Sequence, residues 1–434
     1  MIDFTPKDLE AQENKHSLPE SSFDNEANKQ GLADIENESI KVHKQQNKKA
    51  EQLEALLDIK DTMKISPSIL RTPPPEDFVL QKITEAPSYD ANNKDPFQID
   101  ARYCDLSEMD ILKNSDILPH AMFSNLTKRP KNIEKYFNPK SILENNKTPG
   151  LHIKDIHKKG ITGKGINIAI IDQALLIDHE EYKGKIKMYD EIDEVNTKAT
   201  MHSAAVTSIA VGKNIGVAPD ANIYYIGGIY AERNTKETYI KMDNIAEGIY
   251  KIIKKNKELD TKNKIRAISI SYGITDTMQG YDICKKAIDE AEKQGIYVIY
   301  PDDKNFMGAL RDPKDNPDVF ESYFKALKNE PRLKALDKKN RERLETELIF
   351  VPMNSRTLAS PTGNEDYTFD RYGGISRVMP YVAGIYALCC QIQPDITKEI
   401  FIDAVKKTAE VEEIEGMKFK MINPEELIKY LEKS

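Results

Sequence analysis

Ile166-Asn-Ile-Ala-Ile-Ile-Asp172 is a short run of mostly branched apolar residues closed by an acid, and its reading decides the fold. A continuous apolar run of this length, with Gly163 and Gly165 just before it, predicts a strand buried on both faces, the kind found in parallel sheets covered by helices. Working outward, similar runs recur at Ile223–Ile226, Ala267–Ile270, Ile296–Tyr300 and Ile349–Val351. Between them Met242, Ile245, Ala246, Ile249, Ile252 and Ile253 repeat at three-and-four spacing, as do Ile283, Ala287, Ile288 and Ala291, which predicts amphipathic helices packed on the sheet. The expected fold is α/β, three-layered, with a mostly parallel central sheet and helices on both faces. The texture begins near residue 150, so residues 150–434 form the main domain. A charged, helix-forming stretch over 313–347 is expected as a surface insertion.

Upstream the composition changes. Residues 1–60 are rich in Glu, Lys, Asn and Gln with few large apolar side chains, too few to offset the entropy of ordering, and are expected to be disordered or loosely helical. Residues 61–149 hold Pro73, Pro74, Pro75, Pro87 and Pro96 among short apolar patches and predict an accessory region or an arm on the main body.

The bulk numbers exclude several classes. In 434 residues, 39% are hydrophobic, 31% are charged and the formal net charge is −8, which argues against a nucleic-acid backbone as partner. Lys251, Lys254, Lys255 and Lys257 then read as a solvated helix face. No signal segment and no apolar stretch of about 18 residues is apparent, so neither membrane insertion nor signal-directed export is expected, and a cytoplasmic location is favoured, with non-standard export left open. Cys104, Cys284, Cys389 and Cys390 lack the spacing of a zinc site or a disulfide framework and read as reduced core thiols.

Three residues stand where chemistry could be done. Asp172 ends a predicted strand, and the carboxyl edge of an open α/β sheet is where ligands bind; alone it could equally cap a helix. Of seven histidines, His202 is set apart by heading the small-residue run Met201-His-Ser-Ala-Ala-Val-Thr-Ser-Ile-Ala-Val-Gly212, which predicts a tightly packed helix with the imidazole in its first turn. Ser376, in Tyr372-Gly-Gly-Ile-Ser-Arg-Val-Met-Pro-Tyr-Val-Ala-Gly-Ile-Tyr-Ala-Leu388, follows paired glycines and precedes an apolar helix, near free backbone N–H groups. An ordinary N-cap is its plainer use.

Taken together, Ile168-Ala-Ile-Ile-Asp172 with His179 beyond it, the His202 helix, Gly216-Val-Ala-Pro-Asp220, Ile268-Ser-Ile-Ser-Tyr-Gly273, and Gly374-Ile-Ser376 with Pro380-Tyr-Val-Ala-Gly384 resemble the subtilisin-like serine protease (subtilase) family over residues 150–430. The order Asp, His, Ser is the family's. The resemblance implies a subtilisin-like catalytic domain, an endopeptidase acting through an Asp172–His202–Ser376 triad and an acyl-enzyme, and a polypeptide substrate held as an added strand along Ser271, Tyr272 and Gly273. It also implies an oxyanion-hole donor after the strand that ends near Tyr300, for which Asn305 is the candidate. The chain departs from the family's pattern at Ser203-Ala-Ala205, at Ile375, at Arg377-Val-Met379 and in Pro301-Asp-Asp-Lys-Asn305, predicting a tighter or reshaped cleft, with Tyr224, Tyr225, Tyr272 and Tyr300 as its tyrosine lining.

The resemblance further implies that residues 1–149 cover or brace the catalytic domain, as a propeptide or an intramolecular support. Calcium sites are frequent in the family, but no loop offers oxygen ligands at fixed spacing, so no metal and no cofactor are expected. A nucleotide-binding reading fails because Gly163-Lys-Gly165 precedes a strand instead of opening a helix. A metal hydrolase lacks a His-x-x-x-His pair. The rival from another class is a subtilase-like scaffold that binds a peptide without cutting it.

Overall fold

The computed structural model describes mainly residues 99–110, 120–131, 138–193, 198–228, 242–329 and 336–433, with residues 80–85 and a few single positions besides. The expectation for residues 1–60 falls, apart from Lys48 and Glu51, outside the described residues.

In chain order the elements are β1 (Phe123–Ser124), α1 (Pro139–Asn145), α2 (Ile153–Lys158), β2 (Asn167–Ile171), β3 (Ile186–Glu191), α3 (Met201–Val211), β4 (Asn222–Gly227) and α4 (Met242–Glu258). There follow β5 (Ile265–Ile270), α5 (Tyr281–Lys293), β6 (Tyr297–Ile299), β7 (Phe306–Ala309), α6 (Phe320–Lys328), α7 (Lys338–Thr346), β8 (Ile349–Pro352), β9 (Arg356–Ala359) and β10 (Tyr367–Asp370). Helix α8 (Val378–Ile392), α9 (Lys398–Thr408), the hairpin β11 (Glu410–Ile414) and β12 (Met417–Met421), and α10 (Pro424–Leu431) complete the chain.

The central sheet runs β3-β4-β2-β5-β6 with every neighbouring pair parallel. Because side chains alternate across a strand, β2 serves both faces: Ile168 and Ile170 enter the core shared with α3 and α8, while Ala169 and Ile171 enter the core shared with α4 and α5. All four are at most 1% exposed, and burying a side chain of isoleucine size contributes roughly 1.5–3 kcal/mol. The fold is therefore the expected three-layer α/β arrangement.

Helix α8 crosses beneath the sheet in contact with α3, β5 and β2. A Cβ on Gly384 in its middle would lie 2.5 Å from Val217 Cβ, so glycine is what lets this helix approach the loop after α3 so closely. The stretch Ile375–Ile392 is long and apolar enough by composition to cross a membrane, which the sequence reading overlooked; 72% of it is buried inside the protein, where it serves as the core helix.

Besides a two-stranded parallel pairing of Gln81–Lys82 with Cys104–Asp105, two smaller sheets flank this unit among the described residues. One runs β11-β12-β8-β7, with β11 outermost and its Glu410, Val411 and Glu413 exposed. The other is antiparallel, β9-β10-β1, so residues before 150 supply a strand to the main body. Strands β1, β3, β7, β9, β10, β11 and β12 were not anticipated; most are short or carry charges that mask period-two alternation. The 313–347 stretch is not merely a surface insertion. Tyr323, Phe324 and Leu327 of α6 and Leu344 of α7 are buried in the main core, because the charges occupy only the outward face of each helix.

Candidate active site

Asp172 is the first residue beyond β2 and is fully buried. Its Oδ1 accepts hydrogen bonds from the backbone N–H of Gln173 and from His202 Nδ1, each at 2.8 Å. An acceptor-only carboxylate requires the proton on Nδ1, which leaves Nε2 as the basic nitrogen of the ring. His202 is the second residue of α3, and its helix start is fixed locally: Thr200 caps it by accepting from Ser203 N at 3.4 Å, and Ser203 Oγ donates to Ala174 O at 2.7 Å. The imidazole is 22% exposed, so one edge of the ring is committed to Asp172 while the side chain still reaches solvent.

Ser271, Tyr272 and Gly273 leave the carboxyl end of β5, the strand next to β2. The Tyr272 ring lies 5.2 Å from the His202 ring, tilted at 45°, and its hydroxyl accepts from Gln173 Nε2 at 2.5 Å. Ser271 Oγ donates to the carbonyl oxygen of Ser376 at 2.9 Å. Tyr224 and Tyr225 are buried, the latter donating to Gln173 O at 2.6 Å, so of the predicted tyrosine lining Tyr272 is the ring that meets the histidine.

Ser376 sits in a single 3₁₀ turn, Ile375–Arg377, that leads into α8 and packs against α3. The chain enters it through Gly373 at φ +70°, where a Cβ would overlap the Met353 carbonyl oxygen. Serine makes no capping bond here: neither the turn nor α8 has a side-chain N-cap, and the Ser376 hydroxyl bonds to none of the described residues. The structural use that competes with catalysis is therefore not the one adopted. The turn is gripped from the far side by Arg377, whose Nε donates to Asp370 Oδ2 at 3.0 Å, while Asp370 Oδ1 accepts from Gly373 N at 2.8 Å. Asp172, His202, Ser271, Tyr272 and Ser376 are thus brought to one edge of the sheet.

Asn305 occupies a different kind of place. It directly precedes β7, and its carbonyl accepts from Ile349 N at 2.9 Å. The residue that the turn after β6 delivers to the Ser271–Gly273 segment is Asp302: its Oδ2 accepts from Ile274 N at 2.6 Å and lies 3.2 Å from where a Gly273 Cβ would be. Partial burial pushes the Asp302 carboxyl above the usual range, against the opposing effects of the Ile274 N–H and Lys304. Sequence reasoning missed it because the two acids of Pro301-Asp-Asp303 gave no sign of which would turn inward. His179 does not join the site. It is buried between Tyr182 and Tyr367, its Nε2 2.8 Å from Asp366 O. Among the described residues no group of three or more His, Cys, Asp or Glu side chains could hold a metal ion.

Residues 163–300 match the family model described as the subtilase family; the matched span includes Asp172, His202 and Ser271–Gly273 and ends before Ser376. Solved structures similar to the chain include a prenylagaramide maturation protease, PagA, at 16% identity over 64% of this chain and 98% of that one, with a TM-score of 0.43. The PatG macrocyclase in complex with peptide is 15% identical over 64% and 95% of the two chains, with a TM-score of 0.44. A cold adapted subtilisin-like serine proteinase is 16% identical over 60% and 89%, with a TM-score of 0.39.

Proposed function

We propose that the protein is a serine endopeptidase in which Asp172, His202 and Ser376 act as a triad. The observation that carries this reading is the 2.8 Å bond between His202 Nδ1 and buried Asp172, formed at the sheet edge where Ser271 also ties down the Ser376 turn. His202 Nε2 takes the Ser376 hydroxyl proton as Oγ attacks a peptide carbonyl, and returns it to the leaving amine as the acyl-enzyme forms. Water then enters and the same imidazole acts again to release the acid. The Ser376 backbone N–H and the Asn305 side chain are the proposed oxyanion donors; Asn305→Ala should lower turnover by roughly a hundredfold to a thousandfold if so. The substrate is a polypeptide lying along Ser271–Gly273 as an added strand.

A fluorophosphonate probe tests this directly. Covalent labelling mapped to Ser376, abolished in His202→Ala and in denatured protein, is the expected result. No labelling of the folded chain under conditions that label a control serine protease would favour instead a peptide-binding scaffold without hydrolysis.

A further inference from the structure

Removable propeptides leave behind a catalytic domain complete in itself, and residues 99–110 and 120–128 do not have that character. Strand β1 is hydrogen-bonded along one edge of β10, in register Ser124 with Thr368 and Phe123 with Phe369. Phe123 and Phe369 stack at 5.2 Å, and both belong to a separate core with Ala101, Cys104, Leu106 and Met109. The pairing is extended at both ends: Asn125 N donates to Tyr367 O at 3.0 Å, and Tyr372 Oη donates to His120 O at 3.1 Å. Strand β10 in turn ends on Asp370, whose two carboxylate oxygens hold Gly373 N and Arg377 Nε on either side of Ser376. Asp370 and Arg377 are 5% and 12% exposed, so this pair has little water to compete with it.

We propose that residues 99–110 and 120–128 are a permanent part of the active-site scaffold, in which β1 fixes β10 and β10, through the Asp370–Arg377 pair, sets the position of the nucleophile turn. Asp370 and Arg377 are then positioning residues for Ser376. The proposal rests on the serine-nucleophile reading for its catalytic consequence only; the mechanical link stands on the strand pairing and the ion pair.

The test separates these two levels. A site-specific protease sequence inserted after Lys131 allows the folded full-length chain to be cut without deleting anything. The N-terminal fragment is expected to stay bound through native size-exclusion chromatography; its release, with the remainder folded and hydrogen exchange over residues 372–379 unchanged, overturns the proposal. In the uncut chain, Arg377→Ala is expected to speed exchange over residues 372–379 and, if Ser376 is a nucleophile, to slow fluorophosphonate labelling by about tenfold to a hundredfold, with substrate KM little changed. Arg377→Lys should restore part of both effects. Unchanged exchange in Arg377→Ala overturns the positioning role whether or not the wild type labels, whereas absent wild-type labelling with faster exchange in the variant overturns only the protease reading.

Discussion

The two oxygens of Asp172 are used unequally. Oδ1 carries the bonds to Gln173 N and His202, while Oδ2 is buried and without a partner among the described residues. Asp172→Asn keeps the shape but can present an N–H to Nδ1, reversing the tautomer, so labelling at Ser376 should fall on the order of 10³–10⁴-fold with the fold intact, as in other triads. A variant that labels at the wild-type rate would remove Asp172 from the mechanism. Asp302 allows a check against pH. Its carboxyl titrates higher in the folded chain than in the unfolded one, so its favourable contribution is present at acid pH and is lost as pH rises through the folded value. Asp302→Asn keeps an acceptor for Ile274 N, and its thermal midpoint relative to wild type should improve as pH rises through and above the usual carboxylate range. A difference that does not vary with pH would show that the group is not perturbed.

At the scale of elements, the close passage of α8 over Val217 leaves no room for a side chain at Gly384. Gly384→Ala should destabilise by about 1–3 kcal/mol, although alanine is the better helix former, because the added methyl has no space; a stabilised variant in chemical denaturation would contradict the packing. This is also the scale at which sequence reading succeeded and failed. The five apolar runs became strands because burial on both faces leaves no room for polar residues, and the helices over 242–258 and 281–293 followed their periodicity. Strand β10, Tyr-Thr-Phe-Asp, was invisible because two of its four residues are polar, although all are buried. Its polar groups are satisfied by β1 and by the Ser376 turn, partners that no local pattern announces. The site divides the same way: Asp172 and His202 were legible from strand end and helix start, whereas Asp370 and Asp302 act through contacts distant in sequence.

At the scale of the whole molecule, the three cores among the described residues each hold cysteine: Cys104 with β1, Cys284 on α5 against the central sheet, and Cys389 and Cys390 in α8. All four are free and buried, and burial pushes the Cys284 and Cys390 thiols up to about 12. Thiolate is the reactive form, so an aromatic disulfide reagent should find no fast thiol in the native protein. Under mild denaturant the order of reaction reports which core opens first. Simultaneous reaction of all four is expected if the β1 region unfolds with the rest; early reaction of Cys104 alone would mean that this region opens by itself.

The outermost strand β11 bears on crowding. Its open edge offers unpaired backbone groups to another copy of the chain, and Glu410, Glu412 and Glu413 put three carboxylates along it. Docking a second β11 there would set like charges side by side, a deterrent that costs nothing at the cleft. Glutamines in place of those glutamates should then raise self-association, read by light scattering at fixed protein concentration, whereas lysines should hold it at the wild-type level, because a row of like charges of either sign keeps two such edges apart.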